Sequence, residues 1–378
     1  MRTGIYIHVP FCHEKCDYCS FYSIPVKGRD DFLSKAGAFT GRVCEEIKEI
    51  LGKGSFSVDT IYFGGGTPVL LPPEMLNEIF SVIDEHALRE ENCEISIETN
   101  PGITGARRLC ELRDLGFTRV TMGLQTLDPV AHRVIGRQGA ACCLETLDDY
   151  FSVKGIDLCL DVIAGIPGHS SVEYQEQLDS IIAYFPPHLS VYLLSIEEGT
   201  PLGKRMKEDE KLEAHQRESF LETRKKLTSR GYRHYEISNY ALPGKESRHN
   251  LKYWRYQPYA GFGPGAHSFL MNRRWSNAPD LKAYLQDGDF KRSEDPRSRE
   301  QCMVEFLMTG LRLLDGIRTA DFAEIFGEEI PLSVWEAVEK LSGEGLLAVT
   351  DHTIALTEGA IITADRVIYR TVEPLLFD

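Results

Sequence analysis

Three cysteines near the start of the chain, Cys12, Cys16 and Cys19, follow the spacing C-x3-C-x2-C. A disulfide would leave one of the three thiols unpaired, and disulfides rarely persist in reducing compartments. An iron–sulfur cluster takes cysteine thiolates as iron ligands, so three of them would bind three irons of a [4Fe–4S] cube and leave one iron open. A structural zinc ion usually takes four ligands, and His13 could serve as the fourth. The spacing therefore favours an iron–sulfur cluster with one exchangeable position, and zinc is the alternative.

The remaining cysteines show no comparable spacing. Free cysteine behaves in proteins as a small apolar side chain, so we predict that most of them are core residues. Cys142 and Cys143 are adjacent, but no metal-ligand type stands beside them. The scattered cysteines are Cys44, Cys93, Cys110, Cys142, Cys143, Cys159 and Cys302.

Composition and charge bound the class of protein. The chain has 378 residues, 42% hydrophobic and 26% charged, which predicts two or three globular domains. Its net charge of −15 argues against a nucleic-acid partner or an anionic membrane surface, since either needs a basic face. No apolar run reaches the length of a membrane span, and the start lacks the apolar core of a secretory signal. We expect a cytoplasmic protein.

Apolar, β-rich runs alternate with helical patterns along the first half of the chain. Such alternation predicts βαβ units and a parallel sheet, here an α/β fold built as a partial (β/α)6 TIM-like barrel. One helix is predicted from Pro73 to His86. The predicted strands cover residues 4–10, 59–66, 93–101, 119–126, 157–168 and 188–196.

Residues that could bind a cofactor or take part in a reaction lie where these strands end. The cysteines follow the first strand, and the sequence GGGTP follows the second. Glu98 and Gln125 lie at the ends of the third and fourth strands, and Asp161 lies within or near the end of the fifth. Barrels of this kind place their active sites at the carboxyl ends of the strands. We therefore expect these residues to share one rim.

The second half of the chain has a different character. A charged helix and an aromatic, glycine-rich stretch occupy residues 206–294, after the barrel segment 1–205. Residues 295–378 read as amphipathic helices followed by a two-strand hairpin, "LLAVT" and "TIALT" around "DH". This pattern predicts a smaller C-terminal helical domain of winged-helix-like form. Because the chain is negatively charged, we expect this domain to be a cap or a partner-binding module and not a DNA binder.

The cysteine spacing on a predicted part-barrel resembles the radical S-adenosylmethionine (SAM) superfamily. The resemblance implies that SAM chelates the open iron through its amino and carboxylate groups. It also implies that an electron from the cluster can cleave SAM to a 5′-deoxyadenosyl radical. Tyr18, directly before Cys19, matches an aromatic position common in that superfamily.

Five further motifs narrow the resemblance to the oxygen-independent coproporphyrinogen III oxidase group and its relatives, the HemW haem chaperones. They are "IYIHVPFC", "YFGGGTP", "SIETNP", "GLQT" with "IGR", and "DVIAGIPG", and the likeness covers nearly the whole chain. Structural alternatives stand beside it: a tight turn at the glycines, a helix cap at Glu98, and an ion pair between Arg137 and Asp161. The SAM-binding residues that the resemblance implies are Tyr6, Tyr18, Gly65, Gly66, Thr67, Glu98, Gln125, Arg137, Asp161 and Ser195.

Two departures from the oxidase pattern argue against decarboxylase activity. Oxidases of this type carry a further cysteine two residues after the third, where this chain has Phe21. They also carry a long extension before the cluster, whereas only eleven residues precede Cys12.

A second motif points to the chaperones. "HNLKYW", residues 249–254, matches their H-N-x-x-Y-W signature. Haem iron takes an axial imidazole, and the macrocycle packs on aromatic rings. His249 would supply the ligand, Tyr253 and Trp254 the walls, and His267 in "GFGPGAHSF" a second ligand. The structural alternative is an aromatic cluster with His249 hydrogen-bonded inside it.

The resemblance thus implies a haem chaperone that binds a [4Fe–4S] cluster, SAM and haem. Haem would pass to an acceptor protein, which could be held at a membrane, and the cluster would need an electron donor. The first alternative is a radical SAM enzyme acting on a porphyrin or haem. The second is a zinc or iron–sulfur scaffold that binds no SAM.

Overall fold

The computed structural model describes residues 1–137, 144–286 and 292–376. The chain forms two compact units, each made of two segments. The first unit contains Met1–Thr223 and Pro258–Asp295, and the second contains Arg224–Gln257 and Pro296–Asp378. Residues 206–294, predicted from the sequence to form one segment, are thereby divided between the two units.

Strands and helices alternate through the first unit and change order in the second. The strands, in chain order, are β1 Arg2–Val9, β2 Phe11–Cys12, β3 Ile24–Pro25, β4 Ser57–Gly65, β5 Leu88–Thr99, β6 Arg119–Gln125, β7 Asp157–Ala164, β8 His188–Leu193, β9 Arg233–Glu236, β10 Asn239–Ala241, β11 Tyr259–Phe262, β12 His267–Leu270, β13 Arg273–Asn277, β14 Arg292–Glu294, β15 Ile317–Arg318, β16 Leu347–Val349 and β17 Thr353–Leu356. The helices are α1 Arg29–Leu51, α2 Pro73–His86, α3 Ala106–Asp114, α4 Pro129–Val134, α5 Leu144–Phe151, α6 Ser171–Ile182, α7 Pro201–Arg205, α8 Glu210–Ser229, α9 Arg248–Trp254, α10 Leu281–Tyr284, α11 Arg299–Gly310, α12 Thr319–Phe326, α13 Leu332–Gly343 and α14 Ala364–Val372.

A mostly parallel sheet forms the centre of the first unit. Its parallel strands run in the order β11-β1-β4-β5-β6-β7-β8, and β12, β13 and β14 extend it antiparallel beyond β11. The α/β class and the parallel sheet are confirmed, and α2 has the predicted bounds. Strand β11 was not predicted, because "YAGF" is too short and too rich in glycine to show a strand pattern.

The core of the sheet lies under helices, as in other parallel sheets. Ile5, Ile7 and Val9 of β1 are fully buried, and Phe39 and Val43 of α1 are buried with them. Burying each such side chain stabilises the fold by about 1.5–3 kcal/mol. One face of β1 is therefore fixed against the helical layer, and the cysteines follow directly after the strand.

A buried carboxylate on α1 fastens the segment that contains β11–β14. Glu46 is fully buried, and its oxygens accept hydrogen bonds from Gly263 N at 3.0 Å, Asn277 Nδ2 at 2.8 Å and Tyr284 OH at 2.6 Å. The Arg292 guanidinium lies 3.3 Å away. Burial raises the pKa of Glu46, although the hydrogen bonds and the arginine favour its charged form. This network joins β11 and the end of β13 to the helical layer.

The second unit holds the predicted C-terminal helical domain. Its helices α11–α14 pack with a three-stranded antiparallel sheet in the order β15-β17-β16. The predicted hairpin around "DH" is confirmed as β16 and β17. Helix α11 ends at Gly310, earlier than its pattern predicts, because a turn closes there with Leu313 N donating to Gly310 O.

The scattered cysteines behave largely as predicted. Cys44, Cys93 and Cys159 are buried, whereas Cys110 and Cys302 are partly exposed. Cys142 and Cys143 lie outside the described residues.

A helix that crosses a membrane must be both long and apolar. In the part of the chain that the structure describes, no helix is both long and apolar enough to cross a bilayer.

Candidate functional site

The three cysteines lie on a short loop that follows β1 directly. We call residues 12–19 the cysteine loop. Pairing between β2 and β3 closes its base, where Ile24 N donates to Pro10 O at 2.7 Å and Val26 N donates to Cys12 O at 2.9 Å. All three thiols are free and partly exposed. The loop therefore presents its sulfurs at the carboxyl end of the first strand, as predicted.

Burial and nearby charges shift the pKa values of two of the three thiols. Burial raises the pKa of Cys16 and of Cys19, negative charge on Cys12 adds to both shifts, and negative charge on Cys19 adds to the shift of Cys16. The Arg137 guanidinium acts in the opposite direction at Cys16. Cys12 and Cys16 also line a cavity of about 210 Å³, together with Asn100 and Arg137.

This arrangement suits a cluster. Among residues 1–137, 144–286 and 292–376, no group of three or more His, Cys, Asp or Glu side chains converges as a site for one metal ion. A [4Fe–4S] cluster binds each thiolate at a different iron, so the thiols need only surround a common space. Three free thiols on one loop beside a cavity fit that group.

The GGGTP turn at the end of β4 packs closely on the strand that leads to the cysteine loop. Gly65 has a φ of 108°, and a Cβ atom there would lie 2.7 Å from the ring of His8. A Cβ atom on Gly66 would lie 2.4 Å from Phe11 O. The amides of Gly66 and Thr67 donate to Val9 O and Phe11 O. The glycines therefore serve the tight turn, and these amides already have partners.

Glu98 makes its contacts across the sheet to β4. Its carboxylate accepts from Tyr62 OH at 2.7 Å and from Gly65 N at 3.2 Å. Burial and the nearby charge of Asp161 raise the pKa of Glu98 to about 7, while both hydrogen bonds act to lower it. Burial raises the pKa of Asp161 to about 6, against a hydrogen bond from Ser190. These contacts distinguish Glu98 from a helix cap.

Arg137 bridges the cysteine loop and two strand ends. Its Nη2 donates to Asn100 Oδ1 at 2.7 Å and to Gly123 O at 2.6 Å. Its Nη1 lies 3.4 Å from Tyr18 OH. The guanidinium is thus held by neutral acceptors, and the negative charge of Asp161 acts on it from farther away. It lines the cavity together with Cys12 and Cys16.

The structure adds residues that sequence reasoning missed. Tyr6 OH lies 2.9 Å from His8 Nδ1, and His8 Nε2 lies 2.9 Å from Tyr22 O. Tyr6 also stacks on Tyr62 with ring centroids 6.2 Å apart. The signal in the sequence was the two-residue period of β1, which places Tyr6 and His8 on one face. The missed residues are His8, Tyr22, Tyr62, Asn100 and Ser190.

Of two further sequence-predicted SAM residues, Gln125 lies beside this network, since a Cβ atom on Gly123 would lie 2.9 Å from Gln125 Nε2 and 3.1 Å from Asn100 Oδ1. Gln125 ends β6 with a φ of 66°, a left-handed conformation that is costly for a residue other than glycine. Ser195 is exposed, and its hydroxyl donates to Glu197 Oε1 at 2.9 Å. The structure therefore places Ser195 at the surface beyond β8.

The predicted haem motif forms α9 of the second unit. His249 is buried, with 1% of its surface exposed, and its Nε2 lies 2.9 Å from Tyr253 OH. Burial, aided by the charge of Lys252, lowers the pKa of His249 to about 3, so the ring is neutral near pH 7. The Arg312 guanidinium lies over the Trp254 ring, 4.8 Å from its centroid.

The other predicted haem ligand belongs to the first unit. His267 begins β12 and is exposed. Each histidine is thus placed within its own unit.

Known proteins show to which family the chain belongs. Residues 6–181 match the model of the Radical SAM superfamily, and residues 298–362 match that of the HemN C-terminal domain. A Synechocystis protein named heme chaperone HemW is 32% identical, over 86% of this chain and 81% of its own. The chain belongs to the HemW family. A Bacillus subtilis member of the HemW family is 29% identical over 93% of this chain and 94% of its own.

Superfamily membership and structural likeness carry different information. Membership of the Radical SAM superfamily implies a [4Fe–4S] cluster and SAM. The solved coproporphyrinogen III oxidase (HemN) from Escherichia coli covers 98% of this chain and 89% of its own with a TM-score of 0.81. At 20% identity, that likeness shows that this HemW-family chain has the same fold.

Proposed function

We propose that this protein is a haem chaperone, which binds haem and passes it to an acceptor protein. The proposal rests on the HemW-family relationship, since relatives that carry this name align with nearly the full chain. Phe21 supports it against the oxidase alternative. This residue stands where the oxidases have a further cysteine, and 66% of its surface is exposed.

In this proposal Cys12, Cys16 and Cys19 hold the [4Fe–4S] cluster. When bound, the cluster supplies an open iron for SAM and one electron at a time. The structural support is the shared cavity, which Cys12 and Cys16 line with Arg137. The positive charge of Arg137 offsets part of the negative charge that three thiolates bring to the site.

The residues around Glu98 would hold SAM. SAM carries an ammonium and a sulfonium group, so its amino end needs hydrogen-bond acceptors and negative charge. Carboxylates are present at Glu98 and Asp161, whereas the amides of Gly65, Gly66 and Thr67 already donate inside the protein. We assign the amino group of SAM to the carbonyl and hydroxyl oxygens of the GGGTP turn. Its carboxylate group would lie beside Arg137.

Haem would bind at α9 through His249. The lowered pKa of His249 keeps the imidazole neutral, which is the form that ligates iron. Its Nε2 is paired with Tyr253 OH, so ligation through that atom requires the hydroxyl to move away. Tyr253 would then control access of the iron to this ligand.

A haem titration of anaerobically reconstituted protein, followed by the Soret band, tests the proposal. We expect one haem per chain in the wild type and a loss of affinity in His249→Ala. His352→Ala, in the same unit and exposed, is the matched control and should bind as the wild type does. Haem binding that is absent from the wild type, or equal in all three proteins, would contradict the proposed site.

A transfer assay separates the chaperone from an enzyme. The haem-loaded protein should pass its haem to an apo-haemoprotein acceptor faster than the acceptor takes up haem that is free in the same buffer. Turnover of coproporphyrinogen with matching 5′-deoxyadenosine release would instead identify an oxidase. The same reductant is supplied in both assays, so the two outcomes are directly comparable.

A further inference from the structure

Asp17 lies between Cys16 and Tyr18 and is bound on both sides by other elements of the first unit. Its amide donates to Ile135 O at 3.2 Å, and its carbonyl accepts from Leu202 N at 2.9 Å. Ile135 follows α4, and Leu202 belongs to α7. The backbone of the cysteine loop is therefore tied at this one residue to two elements that are distant in sequence.

The Asp17 side chain adds an ion pair to the same attachment. Its Oδ2 lies 2.6 Å from Arg205 Nη1, and Arg205 Nη2 donates to Val134 O at 3.3 Å. The side chain of Asp17 is 24% exposed and that of Arg205 is 52% exposed, so solvent screens the pair only in part. Arg205 thus spans α7, the end of α4 and the cysteine loop.

Gly136 leaves room for this carboxylate. A Cβ atom at Gly136 would lie 2.2 Å from Asp17 Cγ, and the residue has a φ of 65°. Any other residue at 136 would collide with the Asp17 side chain and would also be strained. The glycine of the "IGR" motif is therefore explained by its contact with the cysteine loop.

Tyr18 secures the next position with apolar contacts. Its ring packs against a small core cluster formed by residues of α4, β7, α7 and the segments that follow α4, β7 and β8. Polar contacts at Asp17 and apolar contacts at Tyr18 thus fill the whole interval between Cys16 and Cys19. The members of the cluster are Ala131, Ile135, Ile163, Ile166, Leu194 and Leu202.

We propose that Asp17, held by Arg205 and by the space at Gly136, is a positioning residue for the iron–sulfur cluster. Only two residues separate Cys16 from Cys19, so the place of Asp17 sets the place of both sulfurs. The inference rests on the proposed cluster site. Its consequence is that Asp17 and Arg205 slow cluster loss without touching iron.

Cluster retention after anaerobic reconstitution with iron and sulfide tests this role. Iron and sulfide content are measured first, and then the rate of iron release to an excess chelator. We expect release to be about two- to fivefold faster in Asp17→Asn and in Arg205→Gln than in the wild type. The double variant should release iron no faster than the faster single variant, because both substitutions break one interaction.

Two further variants separate positioning from general stability. Arg205→Lys should recover most of the retention, because it restores the charge. Asp84→Asn removes the carboxylate from a comparable surface pair, 2.7 Å from Arg89, and should retain iron as the wild type does. The electron paramagnetic resonance spectrum of the reduced cluster should change in Asp17→Asn and stay unchanged in Asp84→Asn.

Gly136→Ala provides an independent perturbation. It should lower cluster content more than Asp17→Asn does, and Asp17→Gly in the same chain should restore part of the loss by removing the collision. Wild-type release rates in Asp17→Asn, or additive effects in the double variant, would overturn the positioning role. A wild type that takes up no iron and sulfide would overturn the cluster site as well, which distinguishes the two failures.

Discussion

At the scale of single residues, the protonation state of Glu98 depends on its burial and on the charges around it. Burial and Asp161 raise its pKa to about 7, so the carboxylate is only partly ionised near neutral pH. A cation bound beside it would favour the ionised form. Binding of SAM should therefore be coupled to the loss of a proton.

The first prediction concerns the pH dependence of SAM affinity. In the wild type, affinity should rise as the pH increases from about 6 to 8, because Glu98 ionises over that range. Glu98→Gln should bind SAM more weakly and with a flatter pH profile. Equilibrium dialysis of the reconstituted protein measures both, and an equally steep profile in the variant would contradict the role of Glu98.

The same shift has a consequence for stability without SAM. The pKa of Glu98 is higher in the folded protein, about 7, than its ordinary value of 4.5. Its contribution to stability is therefore present below pH 4.5 and is lost as the pH rises through 7, by up to about 3 kcal/mol. Glu98→Gln should thus become more stable relative to the wild type across this interval, in urea unfolding followed at several pH values.

The second prediction concerns the hydrogen bond that occupies His249. Tyr253→Phe removes the hydroxyl 2.9 Å from Nε2 and leaves the ring in place. If Nε2 ligates haem iron, the variant should bind haem about two- to tenfold more tightly, because a hydrogen bond no longer competes. The Soret titration measures the change, and weaker binding would show that the hydroxyl itself supports haem.

At the scale of elements, one carboxylate connects α1 to the segment that forms β11–β14. Glu46→Ala would remove the carboxylate that accepts hydrogen bonds from the buried groups of Asn277 and Tyr284. We predict a loss of about 3–5 kcal/mol in the free energy of unfolding. The neighbouring Glu45→Ala, exposed on the same helix, should cost under about 1 kcal/mol. Equal effects of the two substitutions in urea unfolding would contradict this account.

At the scale of the whole molecule, the second unit is assembled from two separate chain segments. Tyr256 in the first of them packs on Phe306 and Phe326 in the other, with centroids 5.9 and 6.3 Å apart. Leu314 N also donates to Tyr235 O at 3.1 Å. Residues 224–257, which contain the haem motif, therefore depend on residues 296–378 for their core.

Truncation after Asp295 tests this dependence. The shortened chain should expose apolar side chains of residues 224–257, bind a hydrophobic dye strongly and lose haem binding. The cysteine loop belongs to the first unit, so iron and sulfide uptake should persist. Dye binding at the wild-type level, together with unchanged haem affinity, would contradict the view that the segments form one unit.

Much of this organisation could be predicted from the amino-acid sequence. The cysteine spacing, the succession of strands and helices, the bounds of α2 and the C-terminal hairpin are local patterns. They could be predicted because periodicity and short motifs depend on residues close in sequence. The placement of Glu98 near the end of β5 followed from the common direction of parallel strands, whereas Asp161 lies within β7.

Other features depended on residues that only folding brings together. The parallel pairing of β11 with β1, the burial of Glu46 and the contact between Asp17 and Arg205 each join segments far apart in the chain. Local patterns carry no information about such partners, because long-range packing selects them. The pKa shift of Glu98 and the occupied Nε2 of His249 have the same origin, since burial and a neighbour's hydroxyl exist only in the tertiary structure.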